Sequence, residues 1–154
     1  MTGSTTRIPP FTRALGVGGL VPFIVFSLAL WLPLDFTQHT LAAGLLLTYA
    51  ALILSFLGAI HWGLALRATP AEGEPDAVAM LWGVCPCLYA WLALMLPAPV
   101  GAGALAAGFI AQWLMDRARL QRLGAPGWLL RLRTGLSVVV VVTLAAAALA
   151  PHSP

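Results

Sequence analysis

A histidine and a tryptophan stand side by side at positions 61 and 62, inside SFLGAIHWG (Ser55–Gly63), where nearly every neighbour is apolar or small. An imidazole titrates near pH 6.5, so it can carry a proton, accept a ligand's hydrogen bond or bind a metal. Few polar residues are available to join it. Gln112 and Asp116 follow Ala104 and Gly108 at steps of four, so one helical face ends in an amide and an acid. Trp82, Cys85 and Tyr89 share one side of another apolar run. Pro86 interrupts that run and leaves the Trp82 carbonyl without its helical donor, and Pro22 does the same to Gly18. The candidate ligand-binding set is therefore His61, Trp62, Ser55, Tyr89, Gln112 and Trp82. The candidate partners of His61 are Gln112, Asp116, Tyr89 and the Trp82 carbonyl.

Other chemistries are poorly supplied. Cys85 and Cys87 lie two apart, which on a helix points them to nearly opposite faces. Tetrahedral zinc needs four ligands, so no metal site is expected. His61 could ligate haem only with a second axial ligand from another subunit, and no cofactor is assigned. H-E-x-x-H, G-x-S-x-G and a phosphate-cradling loop are all missing, so no catalytic residue is assigned. All eight basic residues are arginines, and they form no basic face interleaved with aromatics, which argues against a nucleic-acid partner.

The solvent sets the elements that must position these residues. The 154-residue chain is 60% hydrophobic and 8% charged, with a mean hydropathy of +0.93. A soluble domain of this length cannot hide so much apolar surface, and the bilayer is its natural solvent. Five apolar runs, at about 14–32, 40–66, 77–96, 98–115 and 135–150, come near the ~20 residues a crossing needs. The apolar–polar alternation of a membrane barrel is missing. The expectation is an all-α polytopic membrane protein: a five-helix transmembrane bundle making one domain over 1–154. The first run reads as a retained span rather than a cleaved leader, because Trp31 and Pro33 resemble an interfacial end. Five crossings put Arg7, Arg13, Arg67, Arg117, Arg119, Arg122, Arg131 and Arg133 on one side. The positive-inside rule then places the N-terminus in the cytoplasm and the C-terminus outside, in the cell's inner (cytoplasmic) membrane. Glu72, Glu74 and Asp76 fall in a solvated loop on the arginine side.

Ala51, Ser55, Ala59 and Gly63 recur every four residues, a small-residue stripe that lets another helix, or a second copy of the chain, approach closely. His61 lies on a different face of that helix. Asp116 is near enough to pair with Arg117 or Arg119. Asp116, Arg131, Arg133 and Trp128 form an interfacial set. LRLR (Leu130–Arg133) reads as a topology signal that can also hold anionic headgroups, with membrane lipid as partner.

These stretches also resemble a family. ALGVGGLVPF, YAALILSFLGAIHWGLAL, MLWGVCPCLYAWLALMLP and PGWLLRLRTGLS are similar to the domain-of-unknown-function 3429 family, over roughly Ala14 to Val142. The resemblance implies a small five-span membrane protein and brings no activity with it. Family members often carry SFLGGIHWG and a Tyr after the Trp, where this chain has Ala59 and Leu129. They also commonly carry serine or valine before the third-span proline, so the cysteine pair is peculiar to this chain.

Two readings stay open at this point. One is a bundle that binds or translocates a small ligand or a proton, through a polar pocket around His61 in its cytoplasmic half. The other is a non-catalytic membrane scaffold or assembly subunit whose histidine is a satisfied interhelical hydrogen bond.

Overall fold

The computed structural model describes residues 7–68 and 73–151; Glu72 of the expected acidic loop lies outside them. Six helices and no strand occur among the described residues: α1 (Pro10–Gly18), α2 (Val21–Ala29), α3 (Phe36–Ala68), α4 (Ala77–Ala93), α5 (Ala98–Arg122) and α6 (Gly127–Ala148). Four stretches are long and apolar enough to cross a bilayer: Pro10–Ala29, Phe36–Arg67, Ala98–Arg122 and Gly127–Ala148. The apolar helix α4 is shorter, at 17 residues. The protein is an all-α polytopic membrane bundle.

The first apolar run is one stretch in sequence and two helices in space. Pro22 has no N–H, so the Gly18 carbonyl loses its helical donor and the chain tightens there. Leu20 N–H bonds to the Val17 carbonyl at 3.0 Å, and the Tyr49 hydroxyl donates to the Gly19 carbonyl at 3.0 Å. Tyr49 then packs edge-on against Phe23, and Phe23 against Phe109, with centroids 5.1 and 5.9 Å apart. At the other end of α2, the Ser27 hydroxyl donates to the Thr143 carbonyl of α6 at 2.9 Å.

Helix α3 is the hub, packed against α2, α4 and α5. Its 33 residues span about 50 Å, so it extends beyond a ~30 Å hydrocarbon core. Leu46, Ala50 and Leu54 of α3 meet Leu105 and Phe109 of α5 in the apolar core, which also takes in Leu144 of α6. Although α4 is short, its contacts show that it runs most of the height of α5. Asp76, just before α4, ion-pairs with Arg119, and at the far end the carbonyls of Ala93, the last residue of α4, and of Leu96 close on Gly101. The 18 residues from Gly101 to Arg119 rise about 27 Å.

Several helices outrun the apolar runs read from sequence. Gly124, at φ 65°, ends α5, with the Ala125 N–H reaching back to the Leu120 carbonyl at 2.9 Å. Pro126 then starts α6, so LRLR lies inside that helix rather than ahead of it. The expected close-approach stripe on α3 also divides. Ala51 is buried and Ser55 half-buried, but Ala59 and Gly63 face outward, and nothing lies within 4 Å of a Cβ built on Gly63. The glycine that lets α4 approach is Gly58, whose Cβ position lies 2.9 Å from Pro86.

Two stability outcomes follow. A Cβ on Gly83 would sit 2.1 Å from Trp62 Cδ1, so Gly83→Ala must move that indole and lose its bond to the Met80 carbonyl. We expect a loss of about 1–3 kcal/mol in detergent unfolding, whereas Gly63→Ala stays within about 0.5 kcal/mol. The second concerns Asp76, which caps α4. The N–H groups of Ala79 and Val78 and the Arg119 guanidinium hold its carboxyl below the usual carboxylate range. A depressed carboxylate contributes its stability above the unfolded value and loses it as pH falls through the folded one. The melting temperature should therefore fall below about pH 4. Asp76→Asn, which still caps the helix but cannot ionise, should shrink that acid limb.

Candidate functional site

SFLGAIHWG gives three successive tasks to one helical turn. Gly58 seats Pro86 of α4, and Trp62 crosses Gly83 and donates its indole N–H to the Met80 carbonyl at 2.7 Å. Between them, His61 turns toward α5 and is 1% exposed. Its Nε2 lies 2.9 Å from Asp116 Oδ1. Gln112, one turn before Asp116, donates one amide N–H to the same oxygen at 2.9 Å and the other to the Leu57 carbonyl at 3.3 Å. The Gln112 oxygen accepts the Trp82 indole N–H at 3.0 Å, which fixes the orientation of the amide. The second carboxylate oxygen of Asp116 pairs with Arg133 of α6. One buried carboxylate thus gathers α3, α5 and α6 directly, and α4 through Gln112 and Trp82.

Donor bookkeeping assigns the histidine tautomer. Both N–H groups of Gln112 are already engaged, so its 3.2 Å approach to Nε2 adds no further donor. A carboxylate oxygen beside Nε2 calls for an N–H there, and Nδ1 is left as the second ring nitrogen. Nδ1 is buried and makes no hydrogen bond.

The sequence-predicted site residues sort into three groups. His61 and Gln112 meet directly, with Trp82 behind Gln112. Trp62 sits beside the cluster and serves the α3–α4 contact. Ser55 and Tyr89 are engaged elsewhere: Ser55 donates to the Ala51 carbonyl of its own helix at 2.8 Å, and Tyr89 lays its ring over Gly108 and donates to the Ala104 carbonyl at 2.7 Å. Of the four expected partners of His61, Gln112 and Asp116 are found.

Asp116 does not pair with Arg117 or Arg119, its neighbours on α5. The residue is 5% exposed and pairs with Arg133, while Arg119 goes to Asp76 and Arg117 stacks on Trp113. Helical neighbours in sequence lost to a partner that a hairpin brings across. Arg133 also moves inward, whereas Arg131, two residues earlier, is exposed; Trp128 is half-buried. No grouping of three or more metal-ligating side chains occurs among the described residues.

A groove of about 410 Å³ opens beside the cluster, bounded by Trp82, Cys85, Pro86, Tyr89, Gly108 and Gln112. Its wall is almost wholly apolar, with the Gln112–Trp82 pair at one side. His61 does not line it; Gln112, which touches His61, does.

The family described as "Protein of unknown function (DUF3429)" matches residues 8–149. Transmembrane protein 69 of Xenopus tropicalis is 33% identical over 132 residues, covering 84% of this chain and 50% of the relative. The chain thus spans about half the length of that curated relative. No solved structure matches.

A buried charge stripped of its partner is worse placed than a pair replaced together. Asp116→Asn and Arg133→Met should each destabilise by about 3–5 kcal/mol, and the double variant should recover part of that loss. Chemical unfolding in detergent measures all three; simple additivity would contradict the pairing.

Proposed function

The chain belongs to this family of membrane proteins, and we propose that it binds a small ligand or a proton at the His61 cluster, in the cytoplasmic half of the bilayer. The observation that carries this reading is His61 Nδ1. Every other polar side-chain atom of His61, Gln112 and Asp116 has a hydrogen-bond or ion-pair partner inside the bundle, and this buried nitrogen has none. With Nε2 turned to Asp116, Nδ1 is the ring nitrogen left to take a proton or accept a ligand's hydrogen bond. The neighbouring groove suits an apolar or aromatic molecule with one hydrogen-bonding end directed at Gln112, such as a quinone or a lipid. Ionisable groups inside a membrane are costly and mark functional sites by default.

The placement belongs to the same proposal. The helix directions put all eight arginines at the end of the bundle where Asp116 meets Arg133, which supports five crossings with that end in the cytoplasm, in the inner membrane. Outward-facing Ala59 and Gly63 leave room for a second copy, so the working unit is a homo-oligomer through this small-residue face. One observation favours a scaffold instead: the cluster ties together four helices and nearly closes on itself.

Native mass spectrometry from mild detergent, with an absorption spectrum of the same sample, separates the two. Binding predicts a defined extra mass that disappears in His61→Ala while the variant keeps its fold. A bare chain with only exchangeable lipid would move the weight to the scaffold. Reporters at Gly73 and after Pro154 should label cytoplasmic and external respectively, and the reverse would overturn the orientation.

A further inference from the structure

The α5–α6 hairpin carries a second feature, on another face of α5 and independent of the His61 reading. Two cavities meet at Thr134. One, of about 390 Å³, is lined by Arg117, Gln121, Leu130, Arg131 and Thr134. The other, of about 220 Å³, continues along the hairpin between Ile110, Trp113, Val138 and Val142, and its wall carries no polar surface. A cationic, amide-bearing chamber at the arginine end therefore adjoins an apolar trough further along the hairpin, the two sharing Thr134 as a wall.

The junction is firmly built. Thr134 donates its hydroxyl to the Leu130 carbonyl at 2.9 Å and accepts the Trp113 indole N–H at 3.0 Å, so Trp113 is fixed between the two helices. Arg117 lies over the Trp113 ring, 5.8 Å from its centroid, which holds the guanidinium near the chamber. The trough faces outward: Val138, Val142 and Ile110 are 55%, 60% and 46% exposed.

We infer that this groove is a binding site for an anionic phospholipid, with the phosphate between Arg117 and Arg131 and one acyl chain along Ile110, Val138 and Val142. Guanidinium groups match phosphate oxygens in planar, bidentate geometry, and Gln121 supplies a further amide donor for the headgroup. Charge complementarity selects an anionic over a zwitterionic headgroup, and the apolar trough selects a lipid over a free anion. Arg133, which belongs to the same LRLR segment, turns to Asp116 and does not line the chamber. The tryptophan and threonine serve as positioning residues.

The test is native mass spectrometry of the full chain in detergent, offered equimolar dioleoyl phosphatidylglycerol and dioleoyl phosphatidylcholine. Wild type should retain phosphatidylglycerol over phosphatidylcholine by roughly tenfold or more. Arg117→Gln with Arg131→Gln should abolish that preference, and Arg122→Gln, outside the chamber, should keep it. Val138→Trp, which fills the trough, should weaken retention of phosphatidylglycerol even with both arginines present. Excess inorganic phosphate should leave the bound lipid in place. Equal retention of the two lipids by wild type, an unchanged preference in the double variant, undiminished retention in Val138→Trp, or displacement by phosphate would each overturn the assignment. The arginines lie at the surface end of the hairpin, so the double variant tests the site without disturbing the core.

Discussion

A carboxylate cannot sit bare in hydrocarbon, and the way Asp116 is surrounded explains much of the rest. It draws donors from three directions: the imidazole of α3, the amide one turn back on α5, and the guanidinium of α6. Lipid offers helices no hydrophobic reason to associate, so the cost of leaving these groups unpaired becomes a reason for them to meet in one register. Sliding or rotating any one of the three helices would strand a charge. Helix α4 is held less directly, through Trp82 on Gln112 and through Asp76 on Arg119.

Close approach is the condition that makes the cluster reachable. Gly58 admits Pro86, Gly83 admits the Trp62 indole, and Gly108 admits the Tyr89 ring. Each glycine stands where a Cβ would collide, and each contact draws two helices together at about the depth of the polar groups. The proline breaks fit the same economy. Pro22 breaks the first run where the Tyr49 hydroxyl can reach the Gly19 carbonyl, and the kinked pair then lies across α3 and α6.

Much of this was legible in the chain. Apolar run lengths gave the helices and their order, apart from the break before Pro22 that divides the first run. The steps of four from Ala104 to Asp116 placed Gln112 and Asp116 on one face, and the isolation of His61 marked it for a partner there. What stayed hidden depended on rotation and register between helices. Asp116 lies one residue from Arg117 and three from Arg119, yet it pairs with Arg133, which only the Gly124 turn returns to that level. The Ala51–Gly63 periodicity showed that a small face exists but not which neighbour would occupy it, and Gly58 took that role. Tyr89 looked like a partner for His61 because both are polar and at similar depth; the glycine at 108 drew it to a different carbonyl.

The contacts of Asp116 with His61 and Arg133 are the centre of the proposed site. Solid-state NMR of the protein in lipid, with labelled histidine, aspartate and arginine, tests it most directly. Through-space magnetisation transfer is expected from His61 Nε2 to the Asp116 carboxyl carbon, and from that carbon to the Arg133 guanidinium, both lost in Asp116→Asn. If neither transfer appears in wild-type protein that is otherwise well folded, the carboxylate does not join these helices and the proposed site dissolves with it.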